Sequence, residues 1–113
     1  MKRRIVEKPW GFEHIWAETE DYVAKMLHIN PNERLSLQYH EKKEETVYVL
    51  EGTLLNWTDD DDSPPQRYNV NQILHIEPNQ VHRFGAGKSM VRLMEVSTPH
   101  LDDVVRLADD YKR

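Results

Sequence analysis

Polar and apolar residues alternate with period two through much of the chain. Between residues 34 and 40, Leu35, Leu37 and Tyr39 fall on one face and Ser36, Gln38 and His40 on the other. Residues 12–17, 22–29, 45–50, 53–57, 67–70, 73–76, 81–84 and 90–97 are rich in branched and aromatic residues and read as further strands. Turn signals separate them: Asn30-Pro31-Asn32-Glu33, the charged residues 41–44, Gly52, Glu77-Pro78-Asn79-Gln80 and Gly85-Ala86-Gly87-Lys88. Many short strands with frequent turns predict an all-β sandwich or barrel. Two segments depart from this pattern. Residues 1–7 read as an arm, ended by the turn Lys8-Pro9-Trp10-Gly11, in which Trp10 is most simply a plug for the end of the barrel. Residues 101–111 place Leu101, Val104, Val105, Leu107 and Ala108 on one stripe, with Asp102 and Asp103 near its start, which predicts a short C-terminal helix.

Composition narrows the class. The 113 residues make one domain, 1–113. The chain has no cysteine, which excludes disulfides, zinc ribbons and thiol nucleophiles and makes the cytosol the default location. No apolar run is long enough for a membrane span. Met1-Lys2-Arg3-Arg4 is followed by Ile5-Val6-Glu7 rather than an apolar signal core, so no export signal is expected. The net charge of −5 argues against nucleic acid as the partner. An anionic small molecule stays open, because a local cluster of Lys and Arg can outweigh the global sign. The run Asp59-Asp60-Asp61-Asp62, before Ser63-Pro64-Pro65, reads as a solvated hairpin loop; it lacks the ligand spacing of a calcium loop.

One stretch carries candidate chemistry. Alternation puts Gln38 and His40 side by side, with Tyr39 pointing away. A turn through residues 41–44 lets Glu45 begin the paired strand and face the same way. His82 comes from a later hairpin that a barrel can place opposite. Imidazole, carboxylate and amide oxygen together suit a divalent first-row metal. The competing reading makes His40 a surface histidine at a strand end and Glu45 one of several acidic residues between 41 and 51. The polar face Ser36-Gln38-His40 favours a site, because the other face of the strand is apolar and one face of a barrel strand looks inward.

At these residues the sequence resembles the cupin superfamily, and within it the C-terminal cupin domain of type II mannose-6-phosphate isomerases. The first motif is Arg34-Leu35-Ser36-Leu37-Gln38, His40, Lys43, Glu45, Val47 and Gly52-Thr53. Lys8-Pro9-Trp10-Gly11, Val81-His82-Arg83, Glu95-Val96 and the aspartate-rich residues 102–111 extend the likeness along nearly the whole chain. The glutamine-x-histidine pair, where most cupins have two histidines, points to this branch. Three departures stand out. Lys43 replaces an arginine, keeping charge without the bidentate fork. Val47 replaces a tryptophan. Asn79 stands where the family has a glycine and the neighbouring proline is shifted by one; asparagine tolerates the left-handed backbone best after glycine. No glycine-rich phosphate loop is present, so guanylyl transfer is not expected.

The resemblance implies a double-stranded β-helix, or jelly-roll barrel, with a short C-terminal helix. It implies the isomerisation of mannose 6-phosphate to fructose 6-phosphate through an enediol. Gln38, His40, Glu45 and His82 would hold a divalent metal: zinc, cobalt, nickel, manganese or iron. Lys25 aligns with a lysine of the family and is either catalytic or a solvated strand lysine. Glu95 is a base, a partner of the site residues, or a carboxylate paired to Lys25 or Arg92. Lys43 and Arg83 are candidates for binding substrate, Arg83 equally for a structural ion pair. Tyr111 and Arg113 could close the pocket mouth. The partner implied is a small sugar phosphate, with no nucleic acid or membrane involved. A homodimer is expected by analogy with small cupins, formed by exchange or pairing of the arm. The alternatives are a sugar or sugar-phosphate binding module without catalysis, and an iron-dependent dioxygenase on the same barrel.

Overall fold

The computed structural model describes residues 3–59 and 63–111. It holds eleven strands: β1 (Arg4–Lys8), β2 (Gly11–Glu18), β3 (Val23–Ile29), β4 (Leu37–Tyr39), β5 (Glu45–Glu51), β6 (Leu54–Trp57), β7 (Gln66–Tyr68), β8 (Ile73–Ile76), β9 (Arg83–Gly85), β10 (Val91–Ser97) and β11 (Val105–Ala108). One sheet has six strands in the order β1-β2-β3-β10-β5-β8. Opposite it lie the pair β11-β4 and the triplet β7-β6-β9. Single bridges, Gln38 to His82 and Arg34 to Gly85, join the pair to the triplet. The result is the double-stranded β-helix that the sequence implies.

Two expectations need correction. Residues 101–111 form no helix. The segment turns at 101–102 and then lays β11 along β4, pairing Val105 with Tyr39 and Arg106 with Gln38. An isolated helix of about three turns is marginal in water, whereas the open edge of β4 offers backbone partners at once. The arm also folds back on its own chain. Lys8 pairs with Gly11 around a two-residue turn, and Arg4 pairs with Ile15. Gly11 is required at the hairpin, because a Cβ there would sit 1.9 Å from the His28 carbonyl oxygen. Met1, Lys2, Asp60, Asp61, Asp62, Lys112 and Arg113 lie outside the described residues, and with them most of the acidic run. Among the described residues no helix is long and apolar enough to cross a membrane.

The inward face of the large sheet is divided along its strands. Leu27 and Ile29 on β3, Val47 and Val49 on β5, and Val91 and Leu93 on β10 are buried at one end. They pack with Trp10, Leu54, Ile76 and Phe84 into a single core. At the other end the same strands turn Lys25, Glu45, Glu95 and Ser97 inward, all buried. Register brings these polar residues together: Lys25 faces Glu95 and Glu45 faces Ser97. The apolar end holds the sheets together so that the polar end can remain a site.

Leu93 is fully buried on the central strand β10. Leu93→Ala is expected to destabilise the fold by about 2–5 kcal/mol, read as a lower urea midpoint. A loss below about 1 kcal/mol would mean that the apolar end does not carry the fold.

Candidate metal centre

Local structure places each polar group. Gln38 and His82 are direct cross-strand neighbours, exchanging both backbone hydrogen bonds at 3.0 and 2.9 Å, so their side chains share a face. His40 follows β4. The turn after it is held by Asp103, whose carboxylate accepts from the backbone N–H groups of Glu41, Lys42 and Lys43 at 3.1, 2.7 and 2.9 Å. Asn79 adopts the left-handed backbone expected of it (φ 65°), and its N–H donates to the His40 carbonyl at 2.6 Å. Both turns are therefore tied to His40.

His40, Glu45 and His82 are all buried, and one potential ligand atom from each lies within 4.8 Å of the others. Glu45 Oε1 is 3.2 Å from His82 Nε2 and 3.8 Å from His40 Nε2. The ring tautomers follow from the other nitrogens. His40 Nδ1 faces the Asp103 carbonyl, and His82 Nδ1 lies 2.9 Å from the Gln80 carbonyl. A carbonyl can only accept, so both Nδ1 atoms carry a proton, and in the neutral rings both Nε2 atoms present a lone pair. Both Nε2 atoms are buried without a hydrogen-bond partner. With both rings neutral, three electron-pair donors converge on one point. A proton on His82 Nε2 would satisfy one contact; a divalent cation satisfies all three. The cluster could hold a metal ion, and the carbonyls behind the rings are the outer partners that metal-binding histidines use. Gln38 lines the same cavity as His40, with its Oε1 accepting from Ser36 Oγ at 2.7 Å.

Electrostatics agree with this reading. Burial lowers the pKa of His40 from its ordinary 6.5, favouring the neutral ring. Burial alone would raise Glu45, but the charge of Lys43 holds it well below the carboxylate range. Lys43 Nζ sits 3.0 Å from Glu45 and 3.1 Å from Glu95. Burial opposes its charge, yet Glu95 and Glu45 together raise its pKa. Glu95 is pushed up to about 7 by burial and the Glu45 charge, against the pull of Lys25 and Lys43. Of the two carboxylates, Glu45 stays ionised and Glu95 takes the proton first.

A cavity of about 260 Å³ meets this cluster at His40, with Gln38, Lys25 and Lys43 also on its wall and Glu45 and His82 behind it. Glu95 is not on the wall. It lies behind the two lysines, with Lys25 Nζ 3.7 Å away. The carboxylate that does line the cavity is Glu13, 2.7 Å from Lys25 Nζ. Sequence reasoning missed Glu13, and also Arg4, Lys8 and Arg106 on the same cavity. The alternation Arg4, Val6, Lys8 was the available signal.

Other sequence candidates lie elsewhere. Arg83 is buried and makes the structural ion pair: it donates to the Leu35 carbonyl and to Asp110, both at 2.8 Å, and does not line the cavity. Tyr111 packs against the core and donates its hydroxyl to Glu33, away from the cavity mouth. His28 stacks on Phe12, and the exposed His75 bridges Thr46 and Glu44.

Comparison with known proteins decides the family. A family model described as "Mannose-6-phosphate isomerase C-terminal" matches residues 1–109. The chain belongs to this family. The mannose-1-phosphate guanylyltransferase of Escherichia coli strain K12 is 33% identical over 114 residues, covering 97% of this chain and 23% of that protein. The chain spans about a fifth of the length of the curated relatives it matches. Among solved structures, the polyketide cyclase RemF from Streptomyces resistomycificus superposes with a TM-score of 0.75 at 19% identity, over 99% of this chain and 81% of that one. A cupin-2 domain protein from Shewanella frigidimarina NCIMB 400 gives a TM-score of 0.64 at 20% identity, over 80% and 82%. These neighbours share the cupin fold with this member of the isomerase C-terminal family.

The Asp103 carboxylate is held down to about 2 by the backbone N–H groups of Lys42, Lys43 and Glu41. Because its folded pKa lies below the ordinary 3.8, it stabilises the fold fully above about pH 4 and loses that contribution as pH falls toward 2. Asp103→Asn should remove this component, so the stability gap between wild type and variant narrows from pH 5 to pH 2 in urea titrations. A constant gap would show that the charge on Asp103 does not secure the turn.

Proposed function

We propose that the chain is a metal-dependent sugar-phosphate isomerase, of the type that converts mannose 6-phosphate to fructose 6-phosphate. One observation carries the reading: the buried His40, Glu45 and His82 converge with two imidazole lone pairs and an ionised carboxylate beside a cavity that His40, Lys25 and Glu13 line. Membership of the isomerase C-terminal family supports it. Gln38, His40, Glu45 and His82 would hold the ion. When bound, a divalent cation supplies a Lewis acid for the sugar's carbonyl and hydroxyl oxygens.

The remaining chemistry falls to the chain's own groups. Aldose–ketose isomerisation moves one proton between adjacent carbons while oxygens gain and lose protons. Lys25 reaches the cavity as an ammonium held by Glu13 and stands as the donor to substrate oxygen. Glu13 is the carboxylate on the cavity wall and stands as the base. Glu95, between Lys25 and Lys43, is a positioning residue rather than a catalytic one. Lys43 is held between Glu45 and Glu95, so its charge is already balanced. That balance favours the second reading, a sugar-phosphate binding module without catalysis, if the arginine it replaces is essential.

His40→Ala and His82→Ala are each expected to lower the metal content of purified protein from about one ion per chain to near zero. Metal retained in both variants would place the ion elsewhere. In a coupled assay, Lys25→Ala and Glu13→Gln should each lower kcat by about 10²–10⁴-fold with metal content unchanged. Metal-loaded wild type that makes no fructose 6-phosphate would leave the binding module as the account.

A further inference from the structure

Two sheet edges face each other across the mouth of the cavity. β1 is the edge of the six-stranded sheet, and β11 is the edge of the β11-β4 pair. From β1 the alternate residues Arg4, Val6 and Lys8 reach the cavity, and from β11 comes Arg106. Register fixes their relation to the floor. Arg106 is the cross-strand neighbour of Gln38, which is the neighbour of His82, so all three share one face. On the opposite wall Arg4 pairs with Ile15, Ile15 with Lys25 and Lys25 with Glu95, in one transverse row.

These cations differ from those on the floor. Lys25 and Lys43 are buried and neutralised by Glu13, Glu45 and Glu95. Among the described residues Arg4 makes only an exposed contact with Glu18 at 3.2 Å, its side chain 53% accessible, and Lys8 lies 3.9 Å from Glu13. Arg106 is exposed and forms no ion pair among the described residues. Asp102 also lines the cavity, as does Glu13. An anion entering the cavity therefore finds available positive charge at the mouth and balanced charge at the floor.

The placement selects the ligand. The three cations stand at the cavity mouth, apart from the cluster of His40, Glu45 and His82, and the cavity between them is about 260 Å³. That arrangement suits an open-chain sugar whose charge is on the end remote from the reacting carbons. Resting on the reading of the floor as the isomerising centre, we propose that Arg4, Lys8 and Arg106 form an anion clamp. It holds the phosphate on the end of an open-chain sugar remote from the reacting carbons. The clamp takes the role that the sequence offered to Arg83, whose guanidinium is committed to Asp110 and Leu35. Sugars phosphorylated at the distal carbon should bind better than those phosphorylated beside the reacting carbons or not at all.

The test is a titration that does not need turnover. Metal-loaded wild type, Lys8→Ala, Arg106→Ala and the double variant are titrated calorimetrically with mannose 6-phosphate, mannose 1-phosphate and mannose. Wild type should prefer mannose 6-phosphate, and the preference should weaken with salt. Each single variant should lose about tenfold in affinity for mannose 6-phosphate, and the double should bind it no better than mannose. Affinity for mannose and metal content should not change, and Arg106→Lys should recover most of the loss. Lys8→Gln and Arg106→Gln repeat the test with the aliphatic stems kept, should the alanine variants lower the melting temperature. A wild type indifferent to the phosphate or its position, or a double variant that keeps the preference, overturns the clamp. Binding of this pattern without isomerase activity leaves the clamp and removes the catalytic reading. Activity with an unchanged KM for mannose 6-phosphate in the double variant does the reverse.

Discussion

Two backbone carbonyls set the character of this protein's interior. Those of Asp103 and Gln80 take the Nδ1 protons of His40 and His82 and so point two lone pairs at Glu45. Unpaired buried acceptors cost free energy, and a carboxylate beside them adds to the cost. The fold tolerates this because the apolar half of the barrel is well packed: Val47, Val49, Val91, Leu93 and Ile76 have no exposed surface. The site sits at the end of the same strands, one or two residues from that core. Stability and function are divided along β3, β5 and β10 rather than between separate parts of the chain.

Around the three converging donors the charges are arranged in layers. Lys43 lies against Glu45 and Glu95, and Lys25 against Glu95 and Glu13. Positive and negative groups alternate from the floor toward the cavity, so little net charge is buried at any point. This alternation keeps Glu45 ionised while Glu95 is pushed up to about 7. It also explains how lysine can stand in for arginine at position 43: the two carboxylates ask for a compact ammonium between them, and a bidentate fork is not needed for that contact.

Much of this was legible in the sequence. Period-two alternation gave most of the strands and put Ser36, Gln38 and His40 on one face, and His82 does arrive opposite Gln38. The closing segment was not legible. A stripe of apolar residues between 101 and 108 fits a helix by spacing, and an aspartate at its start fits a helix N-terminus. The edge of β4 decided otherwise, and Asp103 caps the amides of residues 41–43, some sixty positions earlier in the chain. Glu13 was hidden for a similar reason. Its role depends on the register between β2 and β3, which no local pattern reveals. For Arg83 the sequence left phosphate binding and a structural ion pair open, with alternation pointing it away from His82, and the ion pair to Asp110 is what forms.

The central claim is that His40 and His82 donate Nδ1–H to backbone carbonyls and aim Nε2 at Glu45 as metal ligands. Long-range ¹H–¹⁵N correlation spectra of the histidine rings at neutral pH test it most directly. The account predicts an Nδ1–H tautomer for both rings in metal-free protein, and a shift of both Nε2 resonances on adding one equivalent of zinc. An Nε2–H tautomer at either ring, or two Nε2 resonances indifferent to zinc, would contradict it.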